Sequence, residues 1–107
     1  PNNGSGFYGF HIHEGAACSG TDFSATGGHL GGKYAPHPQH AGDLPPLLSC
    51  NGRAYMTVMT DRFSIREVLG RTVVIHGSPD DFKSQPAGDA GMKIACGAVE
   101  RLSLKKM

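Results

Sequence analysis

The residues of this chain best suited to chemistry are its histidines, together with one aspartate. Imidazole nitrogens and carboxylate oxygens are common zinc ligands, and imidazole also suits copper. Some of the candidates are close together in the sequence and others stand alone. They are His11, His13, His29, His37, His40, Asp43 and His76. So many potential ligands in a chain of 107 residues predict a site for two metal ions.

The motif His11-Ile12-His13 alternates like a β-strand, so both imidazoles project from one face, roughly 7 Å apart at the backbone. One metal ion can span that distance. Taken alone, the pair also fits two surface histidines on an edge strand. His76 ends an apolar strand-like run, residues 72–75, and alone it too is more often a surface histidine than a ligand.

The segment with His37, His40 and Asp43 has helical spacing but cannot form a helix, because prolines and a glycine interrupt it. A proline-stiffened loop with two imidazoles and a carboxylate suits a tetrahedral zinc site that needs one more ligand. His29 is the candidate for that ligand, since the two glycines before it let the backbone approach a metal closely.

Strands and loops must position these residues. The 16 glycines, seven prolines, absence of Trp and 18% charged residues favour one all-β domain, residues 1–107. Asn51-Gly52 between two strand-like runs predicts a hairpin. A helical turn is predicted at 64–69, and the loops at 14–42 and 77–92 are long enough to be functional. The five predicted strands are residues 7–13, 44–49, 53–61, 71–76 and 93–104.

Charge and composition restrict the partners. The net charge of +1 gives no electrostatic case for nucleic acid or acidic lipid. No apolar run is long enough for a membrane span. The basic end, residues 104–107, is expected to be a solvated tail. The chain begins at Pro1 without a secretory signal, which suggests a processed or trimmed product. The three cysteines allow one disulfide and a spare thiol, or three free thiols.

Several motifs together resemble the copper/zinc superoxide dismutase family, of the bacterial type. They occur in the family's order between about Phe7 and Val99. The motifs are Gly9-Phe10-His11-Ile12-His13-Glu14, Gly28-His29, His37, His40-Ala41-Gly42-Asp43-Leu44, Gly70-Arg71-Thr72-Val73-Val74-Ile75-His76 and Gly91-Met92-Lys93-Ile94-Ala95-Cys96-Gly97. The resemblance implies a Greek-key β-sandwich or barrel that converts superoxide to oxygen and peroxide.

The resemblance also implies the role of each candidate. Copper would be held by His11, His13, His29 and His76, and zinc by His29, His37, His40 and Asp43. His29 would then bridge the metals, release copper on reduction and help to deliver a proton to peroxide. Asp80 would tie a copper ligand to a zinc ligand, Cys18 would form a disulfide with Cys96, and Cys50 would remain free.

One substitution departs from the family. An arginine that guides and docks the anion lies three residues before the second disulfide cysteine in the family, and Lys93 occupies that position here. Lysine keeps the positive charge but lacks the planar, forked guanidinium group. We therefore expect steering of superoxide to survive and docking of the anion to weaken.

The second departure is architectural, because the family places three strands before the first histidine pair and this chain has six residues before Phe7. We expect about five strands, with a complete metal-bearing sheet and a second sheet reduced to residues 53–61. The apolar side chains that would lose their cover are Phe10, Ile12, Val73 and Ile75. Uncovered apolar faces of that size predict a homodimer in which two half-sandwiches bury them.

Two further expectations follow from the resemblance. The disulfide suggests an oxidising location, extracellular, cell-surface or periplasmic, rather than the cytoplasm. The alternative to an enzyme is a metal-binding or structural module with little or no dismutase activity, because a shortened sheet would shift the ligands relative to one another.

Overall fold

Two three-stranded antiparallel sheets form the framework of this computed structural model, which describes residues 6–85, 88 and 90–101. One sheet has the order β1-β3-β4 and the other β2-β5-β6. The strands are β1 (Gly6–Tyr8), β2 (Phe10–His13), β3 (Leu47–Cys50), β4 (Arg53–Ala54), β5 (Thr72–His76) and β6 (Lys93–Ala98). The helical elements are a 3-10 segment (Thr21–Thr26) and one turn of helix, α1 (Ile65–Val68). The all-β prediction is confirmed.

The first predicted strand, residues 7–13, is divided at Gly9 into β1 and β2, which belong to different sheets. At the break, the Gly9 amide donates to Ser78 O and the Gly9 carbonyl accepts from the His76 amide. A Cβ atom at position 9 would lie 2.6 Å from the Cβ of Ala90. The prediction of one continuous strand was wrong because residue alternation does not register a bend in the backbone.

The predicted hairpin at Asn51-Gly52 is confirmed. Both residues have positive φ, 53° and 79°, as a two-residue type I′ turn requires. The strands around it are shorter than predicted, since β3 is Leu47–Cys50 and β4 ends at Ala54 rather than at residue 61. The second sheet nevertheless has three strands, so the expectation that it keeps only residues 53–61 was wrong, and the described part of the chain has six strands rather than five.

The long loop after β2 returns to cover that strand. Ile12 donates to Gly42 O and accepts from the Leu30 amide, both at 2.8 Å. Its side chain is only 4% exposed, and it packs in the core with Leu30, Leu44 and Val68. The expectation that Ile12 would be uncovered was therefore wrong. The other three residues of that expectation, Phe10, Val73 and Ile75, are half-buried.

The remaining elements follow the sequence closely. Ser64 and Glu67 form a capping box at the start of α1, which confirms the predicted helical turn. β5 begins one residue later than predicted, and β6 ends at Ala98. The last three residues of the predicted strand 93–104 and the basic tail lie outside the described residues. Among the described parts of the chain, no helix has the length and apolar character needed to cross a bilayer.

Candidate metal centre

The six histidines converge at one end of the β2-β5-β6 sheet, and all of them are buried. β2 supplies His11 and His13, the end of β5 supplies His76, and the long loop supplies the other three with Asp43. Isolated β-bridges pair His13 with His29 and His11 with Asp43. Backbone pairing to β2 therefore places both loop residues beside the strand histidines.

Four histidines, His11, His13, His29 and His76, offer ring nitrogens that all lie within 4.8 Å of one another. His13 Nδ1 is 2.8 Å from Gly27 O, and His76 Nδ1 is 3.0 Å from Gly91 O. Since a carbonyl oxygen can only accept, each of these nitrogens carries the hydrogen, and Nε2 of the same neutral ring carries a lone pair. Those two Nε2 atoms are 3.3 Å apart.

The other two members of the group also direct unprotonated nitrogens inward. His11 Nε2 lies 2.7 Å from Asp80 Oδ2 and donates to it, which leaves its Nδ1 with a lone pair. Both His11 Nδ1 and His29 Nε2 are buried and have no hydrogen-bond partner. Buried polar atoms are normally paired. Four converging lone pairs, two of them unpartnered, fit a cation that prefers imidazole, as copper does.

The second cluster is centred on Asp43. Its carboxylate lies 2.7 Å from His29 Nδ1, 3.0 Å from His37 Nδ1 and 3.3 Å from His40 Nδ1. His29 Nδ1 and His40 Nδ1 are 3.1 Å apart, closer than two protonated nitrogens could approach. Three imidazoles around one carboxylate fit a tetrahedral zinc site.

Possible ligand atoms of His11, His29, His37 and Asp43 also lie within 4.8 Å of one another, so His11 and His40 are both candidates for the second cluster. The hydrogen bonds distinguish the two candidates. His11 has only Nδ1 to offer because Asp80 holds its Nε2, and that one atom belongs equally to the four-histidine group. His40 Nδ1 faces the Asp43 carboxylate, so the donor chemistry favours His40 as the fourth member of the second cluster.

Burial keeps the strand histidines neutral. It lowers the pKa of His11 to about 4 and that of His13 to about 3, and it also lowers the pKa of His76 and His40. Burial alone would raise the pKa of Asp43, but the hydrogen bond from His29 and the nearby imidazoles outweigh it, and the pKa is lowered. At neutral pH these groups have the protonation states that a metal ion requires.

Asp80 connects the two clusters. Its Oδ2 accepts from His11 Nε2 and its Oδ1 from His37 Nε2, each at 2.7 Å, and Oδ1 also accepts from the Phe82 amide. The backbone of Gly88 lies so close that a Cβ atom there would overlap the Asp80 carboxylate and come within 2.5 Å of His37 Nε2. The second long loop thus fixes one ring of each cluster.

Lys93 lies at the mouth of the site, in a cavity of about 740 Å³ that is also lined by His13, His29 and His76. Its Nζ donates to Thr26 Oγ1 at 2.8 Å and to Gly27 O at 3.0 Å. Desolvation lowers its pKa. Gly27 O accepts from His13 as well, so one carbonyl oxygen orients both a strand histidine and the cation.

The disulfide expected between Cys18 and Cys96 is present, with the Cα atoms 5.8 Å apart. It joins the loop just before the 3-10 segment to β6. Cys50 is free and exposed in the hairpin, as expected.

Two residues that hold the His37–His40 segment were not found by sequence reasoning. Arg62 Nη1 donates to Pro38 O at 2.7 Å and to His40 O at 3.2 Å. Gln85 contacts the backbone of His37. Both contacts join segments far apart in the chain with no fixed spacing, so no signal in the sequence could have indicated them.

Comparisons with known proteins point to a single family. A sequence model described as copper/zinc superoxide dismutase matches residues 2–99. The "Superoxide dismutase [Cu-Zn] 1" of Aquifex aeolicus is 37% identical over 106 residues, which is 85% of this chain and 63% of that protein. The "Superoxide dismutase-like protein YojM" of Bacillus subtilis is 31% identical over 106 residues, 85% of this chain and 54% of that protein.

The fold comparison agrees. The structure titled "Cu/Zn superoxide dismutase from Brucella abortus" superposes with a TM-score of 0.78 at 30% identity, covering 91% of this chain and 74% of that one. The chain spans less than two thirds of the length of the curated relatives described above.

Proposed function

The chain belongs to the copper/zinc superoxide dismutase family, and we propose that it converts superoxide to oxygen and hydrogen peroxide at a copper ion that shares His29 with a zinc ion. Copper would be held by His11, His13, His29 and His76, and zinc by His29, His37, His40 and Asp43. In the reaction, two superoxide anions and two protons give one molecule of oxygen and one of hydrogen peroxide.

One observation carries this proposal: His29 faces a cluster on each side. Its Nε2 is an unpartnered buried atom toward the strand histidines, and its Nδ1 lies 2.7 Å from Asp43 in the other cluster. A histidine serving a single structural purpose would have one nitrogen paired and the other solvated. Here both nitrogens are buried and each belongs to a different ligand set.

Copper, when bound, supplies a one-electron centre that can accept an electron from one superoxide and give an electron to the next. The chain's own residues bring the anion and the proton to it. Lys93 places a positive charge on the wall of the cavity that His13 and His76 also line. His29 Nε2 is the atom at which the chain would hold a proton for delivery to the product.

The test is to load the protein with copper and zinc and to measure superoxide removal beside a His76→Ala variant, with Tyr55→Ala as a control at a side chain that is 89% exposed. We expect the His76→Ala protein to lose activity and the Tyr55→Ala protein to keep it. Equal rates in the loaded parent and His76→Ala would contradict the enzymatic proposal.

The alternative function is a metal-binding or structural module with little or no turnover. It is supported by a relative whose name is superoxide dismutase-like. The same experiment separates the two functions. If the protein binds copper and zinc stoichiometrically but superoxide disappears no faster than in buffer alone, the metal-binding or structural module is favoured.

The homodimer also remains a proposal, with a different surface from the one the sequence suggested. Ile12 is buried within one chain, whereas Phe7 and Leu48 face each other across β1 and β3 and are 53% and 49% exposed. We propose that this pair lies in a contact between two copies. Size-exclusion chromatography with light scattering tests it, and a stable monomer at micromolar concentration would contradict it.

The Cys18–Cys96 bridge supports an extracellular, cell-surface or periplasmic location.

A further inference from the structure

The side-chain amide of Gln85 pairs with the backbone of His37, although the two residues are 48 positions apart. The His37 amide donates to Gln85 Oε1 at 2.8 Å, and Gln85 Nε2 donates to His37 O at 2.7 Å. We propose that Gln85 is a positioning residue for the zinc cluster, holding the His37 backbone while Asp80 holds the His37 ring. This inference rests on the zinc part of the proposed function.

The local sequence explains why such a partner is needed. Pro36 and Pro38 have no backbone N–H, so His37 has the only backbone donor of these three residues. Both backbone polar groups of a residue away from water need partners. A glutamine supplies a donor and an acceptor in one plane, whereas glutamate only accepts and lysine only donates.

Gln85 is itself held in place. The second hydrogen on Nε2 reaches Lys83 O at 3.2 Å, so Nε2 has two acceptors and Oε1 has a donor. The loop around it is closed by hydrogen bonds from the Asp81 amide to Gly88 O at 2.9 Å and from the Gly88 amide to Ser84 O at 2.7 Å. The pairing of Gln85 with His37 is therefore supported by further hydrogen bonds among its described neighbours.

The contacts of His37 fix its orientation from three directions. Gln85 holds the backbone, Asp80 Oδ1 holds Nε2 at 2.7 Å, and Nδ1 is left facing Asp43 at 3.0 Å. Asp80 fixes one atom of the ring, and Gln85 is the partner of the His37 backbone amide and carbonyl. Removing the backbone pairing should let Nδ1 move away from the direction that the metal needs.

The experiment compares Gln85→Met with Gln39→Met. Methionine matches glutamine in length and cannot form the pair of hydrogen bonds. Gln39 is an exposed residue in the same loop as His37, so its substitution controls for the chemical change. Three properties are measured: hydrogen exchange of the His37 amide in the metal-free protein, zinc affinity by chelator competition, and the visible spectrum of Co²⁺ bound in place of zinc.

We expect the Gln85→Met protein to lose protection of the His37 amide against hydrogen exchange and to show a changed Co²⁺ spectrum. Its zinc affinity should fall about tenfold or more, because supporting contacts of metal ligands typically contribute that much to affinity. Gln39→Met should match the parent in all three. Unchanged amide exchange, or unchanged zinc affinity and spectrum in a parent that binds zinc tightly, would overturn the inference. If the parent itself takes up no zinc, the zinc part of the proposed function fails, and amide exchange alone then decides whether the pairing exists.

Discussion

The Cys18–Cys96 bridge should contribute a large share of the stability of the metal-free protein. The perturbation is the double substitution Cys18→Ser and Cys96→Ser. The bridge closes a loop with a sequence separation of 78 residues. In the chain-entropy description, a cross-link over a loop of that length destabilises the unfolded state by about 4.5 kcal/mol.

That contribution is large against the total. Domains of this size are stable by about 5–15 kcal/mol, so the bridge supplies about 30% of the stability or more. With an m-value near 1.5 kcal/mol/M, the urea midpoint should fall by about 3 M. The loss should also reach the metal centre, since the bridge anchors the loop whose Gly27 carbonyl orients His13.

The assay is equilibrium urea unfolding of metal-free protein followed by circular dichroism. Cys50 is free and exposed, and it could form wrong disulfides during unfolding, so Cys50→Ser is introduced into every variant, including the reference. The reference retains the bridge, and the comparison protein lacks all three thiols. A difference below about 1 kcal/mol between them would refute the loop-closure reasoning.

Three other predictions concern the site. Gly88→Ala should weaken binding of both metals by about tenfold, because the new methyl group overlaps the Asp80 carboxylate; chelator competition measures this, and unchanged affinity would contradict it. Lys93→Met should slow superoxide removal at low ionic strength by about tenfold and flatten its salt dependence, while the exposed Lys83→Met serves as control; a rate equal to the parent would show that the cation does not steer the anion. In the metal-free protein, the pKa of His11 is lowered to about 4 and that of His13 to about 3, so the unfolded state binds more protons below about pH 6.5. The contribution of these two histidines to stability is then fully present above pH 6.5 and is lost as the pH falls through 4 toward 3. Urea unfolding at several pH values should show this decline, and stability independent of pH over that range would exclude neutral buried imidazoles.

Much of the site could be predicted from the sequence because histidine and aspartate are typical metal ligands and their local spacing restricts where they can lie. Imidazoles at alternating positions of a strand, as at His11 and His13, can only lie on one face. Prolines forbid a helix around His37. The hairpin was equally accessible, since Asn51-Gly52 favours a two-residue turn whatever the tertiary context.

The elements that escaped prediction depend on contacts between distant segments. The division at Gly9 is set by packing against Ala90, which no local pattern records. The strand predicted for residues 53–61 ends after Ala54 although its composition permits extension. The same limit applies to Gln85 and Arg62, whose importance lies in which backbone carbonyl or amide they meet.

The β-bridges between β2 and the long loop fix some candidate ligands of the loop more directly than others. His29 and Asp43 sit at the two points where the loop is pinned to β2, and the backbone hydrogen bonds of Leu30 and Gly42 with Ile12 secure both points. The pinning needs no ion. Between these points, His37 and His40 lie on a span that local backbone hydrogen bonds and side chains from other segments restrain together. We therefore expect the four-histidine pocket to form when the chain folds, so that uptake of a metal there does not depend on a metal in the other cluster.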